Sequence, residues 1–166
     1  MNLLRRILLL ATIAGVLVLA YGQLFPSQEK RIRRVLDRVA AAISIPAKPA
    51  PAGMILALDR LQGCFSRDVE VVVDIPVEGR LTFSGRDELM DRAKAAWGTL
   101  RNVKVEFLDV NLHLNPAKDK ATAELTTRVT QPGQRDFFVQ EMKFQLRRQE
   151  QDWRIIRIET VRTLRQ

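Results

Sequence analysis

The chain has 166 residues, 46% of them apolar and 28% charged, with a formal net charge of +8. That is one domain of ordinary size with enough apolar material for a packed core, which excludes wholesale disorder. With one cysteine, Cys64, and one histidine, His113, an intramolecular disulfide is excluded. A zinc site of Cys/His ligands is excluded too, and neither a metal nor a cofactor is expected.

The charge is unevenly placed. Residues 1–45 carry seven Lys/Arg against two acids, whereas residues 46–166 carry 20 against 17. The excess sits beside an apolar segment, where anionic lipid headgroups would meet it. The remainder is nearly balanced, which argues against a nucleic-acid partner.

From Ile7 to Gln28 no side chain is charged. About 19 helical residues reach about 28 Å, close to the bilayer hydrocarbon thickness, before Pro26 ends the run. A cleaved signal peptide is the rival reading, with Arg5 and Arg6 as its basic start and Ala20-Tyr21-Gly22 as a small-x-small site. Leu24 and Phe25 continue the apolar run past that site, which favours a retained single-pass anchor in a cell membrane. Orientation is contested between two rules. Lys30, Arg31, Arg33 and Arg34 outnumber Arg5 and Arg6, which by the positive-inside rule puts the domain in the cytoplasm. A very short basic N terminus before an apolar run is how export signals begin, and the balance tips to an extracytoplasmic domain.

A first helix is expected from Ser27, a fair N-cap, to Ser44. Ile32, Val35, Leu36, Val39 and Ile43 form its apolar stripe. Lys30, Arg31, Arg33, Arg34 and Arg38 fall on the other side, a basic face suited to solvent or to an anionic membrane surface. Pro46, Pro49 and Pro51 mark a stiff connector, followed by a second helix from Gly53 to Cys64. The period then becomes two. Val69, Val71 and Val73 alternate with Glu70, Val72 and Asp74 in a first strand; Glu78-Gly79 turns the chain and Leu81-Thr82-Phe83 begins a second. Arg86 to Leu100 reads as a third helix carrying Leu89, Ala93, Ala96 and Trp97 on one side.

Four strands close the chain. In the third strand, Val103 to Leu114, the apolar positions are odd-numbered through Phe107 and even-numbered from Leu108. Such a phase change requires an extra residue, so a β-bulge is expected near Phe107–Leu108, with Val105 and Leu108 both inward. Asn115 to Asp119 turns into a fourth strand whose inner face is Ala121, Ala123, Leu125, Thr127 and Val129. Gln131-Pro132-Gly133 leads to a fifth strand, Phe137 to Leu146, and a sixth runs from Trp153 to Leu164. On the fifth, Phe138, Gln140, Met142, Phe144 and Leu146 share a face; four are apolar, so Gln140 faces inward and needs a partner.

The segregated helices and antiparallel connections make an α+β fold: a curved, mostly antiparallel six-stranded sheet packed on three helices, preceded by one transmembrane helix. Three local phrases carry a resemblance. Cys64-Phe65-Ser66-Arg67-Asp68-Val69, Ser84-Gly85-Arg86-Asp87-Glu88-Leu89 and Gln151-Asp152-Trp153-Arg154-Ile155 resemble, in order and spacing, the nuclear transport factor 2-like superfamily of cystatin-like cones. The similarity points to its ketosteroid isomerase and polyketide cyclase-like branch. It implies a pocket between helices and sheet, lined by Trp97, Phe107, Gln140 and Met142, and homodimerisation through the sheet. On that reading residues 1–26 are the anchor or signal segment, 27–45 the basic first helix, 46–52 a Pro/Ala connector and 53–166 the rest of the cone.

The resemblance also singles out Asp74. Asp74-Ile75-Pro76-Val77 is similar to the phrase that carries the isomerase's general-base aspartate. A carboxylate in an apolar pocket has its pKa raised, which suits proton abstraction. The remaining set is incomplete: the first helix has no tyrosine, and the fifth-strand acid position falls on Gln140. Asp109 and His113 are about 13 Å apart along an extended strand, too far to pair. The leading expectation is a non-catalytic, membrane-anchored cone that binds a partner protein or a small apolar ligand. The runner-up is an isomerase-, dehydratase- or cyclase-like enzyme using Asp74.

Overall fold

The computed structural model describes residues 27–75, 79–133 and 138–161. The expected anchor, the approach to Gly79 and the end of the last expected strand lie outside the described residues. Among the described residues, no helix is long and apolar enough to cross a membrane.

Three helices and six strands follow the expected order: α1 (Gln28–Ile43), α2 (Pro51–Gln62), β1 (Phe65–Ile75), β2 (Gly79–Ser84), α3 (Arg86–Thr99), β3 (Lys104–Leu114), β4 (Lys120–Thr130), β5 (Phe138–Gln149) and β6 (Asp152–Thr160). The sheet order is β2-β1-β6-β5-β4-β3; β1 and β6 run parallel and every other neighbouring pair is antiparallel. Ser27 caps α1 by accepting a hydrogen bond from the Lys30 N–H at 3.3 Å. α2 begins at Pro51, two residues before the expected start, because proline's missing N–H and preset φ suit the first helical turn. Gly85 holds φ +91° while its N–H bonds the Val69 carbonyl at 2.8 Å, a left-handed corner that glycine adopts without a Cβ penalty. Glu88, in the first turn of α3, accepts from the Ser84 N–H at 3.1 Å and so ties the helix to the end of β2.

The α1 stripe supplies one side of the core: Ile32, Val35, Leu36, Val39 and Ala42 are all buried. They pack with Val69, Val71, Ala123, Leu125, Phe144, Leu146 and Ile155 from the facing strands. Each such side chain contributes about 1.5–3 kcal/mol when fully buried. The C-terminal end of α1 is sewn to the sheet. Ile45 exchanges two backbone hydrogen bonds with Val103 (2.7 and 2.8 Å), and Ser44 Oγ accepts from the Val105 N–H at 3.0 Å. One turn from the other end, Arg33 Nη2 donates to the Val110 carbonyl at 3.1 Å. Because β3 ends the sheet, these contacts occupy backbone groups that would otherwise be open to another strand.

The expected bulge in β3 lies at Asp109–Val110, beginning two residues from Phe107. Leu108 pairs with Thr126 and Asn111 with Glu124, so Asp109 and Val110 together face Leu125. Asp109 takes φ +52°, a left-handed state that aspartate tolerates better than most residues. Val105 and Phe107 therefore point to the core before the slip, and Val110, Leu112 and Leu114 after it; Leu108 does not join the core cluster. The expectation that Leu108 faces inward is corrected accordingly. A second slip, between Gln145 and Leu146 on the β5–β6 ladder, makes Ile156 the extra residue.

The outer sheet face is charged. Glu106 lies 2.7 Å from both Lys104 and Arg128, and these two cations hold its carboxyl below the usual range. Arg157 bridges Glu70 and Glu159. The bulge yields a direct test. Asp109→Val places a β-branched residue at positive φ and should lower stability by about 1–2 kcal/mol, while Asp109→Gly should be neutral or stabilising. Urea midpoints measure both, and equal midpoints would show that the left-handed residue is not what shapes β3.

Candidate functional site

Two rows of side chains bear on function, one on each face of the sheet. Asp74 is the penultimate residue of β1 and pairs with Arg80. Alternation along β1 sends Val69, Val71 and Val73 to the core and sets Asp74 with Glu70 and Val72 on the outer face. There Asp74 lines a depression of about 260 Å³ with Val72, Arg80, Glu159 and Thr160. Its backbone N–H donates to Thr160 Oγ1 at 3.1 Å. The depression thus sets Asp74 among one aliphatic, one hydroxyl and two charged side chains.

Gln140 does reach Asp74, but through the main chain. Its Nε2 donates to the Asp74 carbonyl at 3.0 Å. The described part of β6 runs to Thr160, which pairs with Met142, two residues along β5 from Gln140. The glutamine side chain thereby ties β5 to the end of β1. A polar residue in an inward position is thereby explained as the sequence required.

Beside Gln140, on the concave face, lies a residue singled out only by the structure. Thr127 pairs with Gln140 on one side and Phe107 on the other. It is 6% exposed, and its Oγ1 has no hydrogen-bond partner among the described residues. The row Phe107–Thr127–Gln140 thus sets one unpaired hydroxyl and one amide into an otherwise apolar surface. A threonine among Ala121, Ala123, Leu125 and Val129, adjacent in register to an inward glutamine, was the available sequence signal.

The other expected pocket residues are packed. Trp97 is buried and its Nε1 donates to the Ala42 carbonyl at 3.1 Å, tying α3 to the end of α1. Phe107 meets Phe144 edge to face with centroids 5.4 Å apart. Met142 packs against the core and also lines a concavity of about 390 Å³ with Asp109, Asn111, Glu124 and Glu141. Among the basic residues of α1, Lys30, Arg34 and Arg38 are exposed, and Arg38 Nε bonds the Arg34 carbonyl at 3.3 Å. Arg31 is half-buried. Among the described residues, no group of three or more His, Cys, Asp or Glu side chains is placed to hold a metal ion.

No family model matches the sequence, and no curated protein matches it. Solved structures do. A nuclear transport factor 2-like protein of unknown function from Pseudomonas putida is 16% identical, with TM-score 0.64 over 81% of this chain and 86% of that one. A cystatin-like protein of unknown function from Nostoc punctiforme is 18% identical, with TM-score 0.60 over 82% and 92%. A scytalone dehydratase-like protein from Novosphingobium aromaticivorans is 14% identical, with TM-score 0.57 over 82% and 84%. At these identities the likeness concerns the fold. The chain is an α+β protein whose curved sheet and three helices form the nuclear transport factor 2-like, or cystatin-like, cone.

The Gln140 bridge is testable. Gln140→Leu removes the side-chain donor to the Asp74 carbonyl and should cost about 1–3 kcal/mol in chemical denaturation. A variant as stable as the parent would show that the amide is free for other duties.

Proposed function

We propose that this protein is a membrane-tethered cone domain that binds a small apolar ligand or a partner protein without catalysing its conversion. The observation that carries the ligand reading is the concave-face row: a buried, unpaired Thr127 hydroxyl beside Gln140 in apolar surroundings. An unpartnered buried hydroxyl is costly, and a ligand with one polar group would satisfy it. Support for a non-catalytic role comes from Asp74, whose neighbours are charged, and from Gln140, which spends a donor on a backbone carbonyl. The uncharged run from Ile7 to Gln28 supports the tether, with the domain on the exported side. Two copies would pair through the outer sheet face, where Val139 is 49% exposed. An isomerase-, dehydratase- or cyclase-like reaction at Asp74 is the second reading, favoured by the likeness to the scytalone dehydratase-like protein.

Two measurements separate these readings. The full chain should bind 2-naphthol more tightly than naphthalene, and Thr127→Val should abolish the difference while leaving thermal stability unchanged or raised. Loss of stability with no change in ligand discrimination would mean that the hydroxyl is structural. For the tether, the full chain should remain with membranes through a carbonate wash; release of a chain beginning near Gln23 would identify a cleaved signal peptide. Should any substrate be turned over, Asp74→Asn abolishing that turnover in a folded protein would establish the catalytic reading instead.

A further inference from the structure

The second helix exposes two large aliphatic side chains where a helix packed on a cone has no need of them. Ile55 is 64% exposed and Leu56 is 55% exposed. Leu56 is four residues before Arg60, so one exposed side of α2 presents an aliphatic residue and then a cation one turn later. Further cations converge on the end of that helix. Arg154, at the start of β6, lies against it: a Cβ on Gly63 would stand 3.7 Å from Arg154 Nη1. Arg38 comes from α1. Cys64 marks where the three elements meet, since its thiol donates to the Arg60 carbonyl at 3.2 Å and feels the positive charge of both Arg38 and Arg154. Asp152 is 3.8 Å from Arg154 and 74% exposed, a weak partner that leaves the positive charge largely uncompensated.

Exposed Asp59, four residues after Ile55, adds one carboxylate, but with Arg38, Arg60 and Arg154 the cluster stays net basic, and exposed aliphatic residues beside a net-basic cluster suit a bilayer interface. What selects the membrane over other occupants is the sequence before the domain: the uncharged apolar run ends at Phe25, three residues before α1 begins. We propose that the exposed side of α2, through Ile55, Leu56 and Arg60, together with Arg38 and Arg154, rests on an anionic lipid surface and sets how the cone stands on its membrane. This inference rests on the tethered reading above but concerns a different part of the molecule from the concave-face site.

Gly53 provides a reporter one turn before Leu56, because a side chain added there meets nothing within 4 Å. Cys64 is fully buried, and burial pushes its thiol above the ordinary range, so a nitroxide reagent will select the new cysteine. The full chain carrying Gly53→Cys is labelled and reconstituted in phosphatidylcholine vesicles with and without 30% phosphatidylglycerol, roughly the anionic content that attracts basic segments. Collision with a water-soluble nickel chelate should fall several-fold on the anionic vesicles. The loss should be reversed by Ile55→Asp with Leu56→Asp, and separately by Arg60→Glu with Arg154→Glu. Equal chelate access on both vesicles overturns the proposal. So does protection that survives both pairs of substitutions, and so does a Leu56→Asp effect seen only as a change in oligomeric size, which would assign the face to a protein contact. Release of the full chain by the carbonate wash strikes the tether alone; the nitroxide then reports peripheral docking by the same criteria.

Discussion

From Arg33 to Ile45 the first helix is laced to the edge strand β3 near both of its ends, and the rest of the cone depends on that lacing. At one end Arg33 holds the Val110 carbonyl; at the other Ser44 and Ile45 extend the sheet by a short bridge to Val103 and Val105. Between them the aliphatic stripe fills the concave face. The bulge at Asp109–Val110 makes this possible. Without the extra residue, Leu112 and Leu114 would point away from the helix, and a one-residue slip would send the whole second half of β3 to the wrong face.

The same geometry divides the chemistry of the two sheet faces. Acids and bases alternate across the outer face, where water screens them and each pair is worth little. The concave face is almost wholly aliphatic and aromatic, so among the described residues the Thr127 hydroxyl and the Gln140 amide stand out there. A proton-abstracting carboxylate would need the second environment, and alternation along β1 gives Asp74 the first. That division, more than the absence of any one family residue, is what the binding proposal rests on.

Most of the architecture was legible because burial writes periodicity into sequence. The α1 stripe and the β4 face are each a plain reading of spacing, and the structure buries Ile32, Val35, Leu36, Val39, Ala121, Ala123, Leu125 and Thr127 as the pattern requires. Failures came where adjacent residues were equally apolar. Phe107-Leu108 leaves the exact point of the phase change ambiguous, and the left-handed Asp109 fixes it so that Leu108 turns away from the core. The start of α2 was hidden because Pro51 serves both a connector and a first helical turn. For Asp74 the parity was already visible, since it alternates with three valines in step with Glu70; its local phrase pointed to a pocket that its strand phase does not face. Thr127 was placed on the correct face, but its lack of a partner is a three-dimensional property that no spacing reveals.

Gln140 and Arg33 illustrate one principle at two places on the sheet. Each is a polar side chain that donates to a backbone carbonyl of another element: Gln140 to Asp74 near the end of β1, Arg33 to Val110 where β3 slips past its neighbour. Backbone carbonyls left open at such places are costly when shielded from water, and a long side chain from a neighbouring element removes that cost. Irregularity in this sheet is therefore compensated by side chains, which ties those side chains to structure. Thr127 lies within the regular part of its ladder, where its backbone needs no help. Its hydroxyl is left without a hydrogen-bond partner among the described residues, so it is the group on this face that a ligand could satisfy without breaking a structural bond.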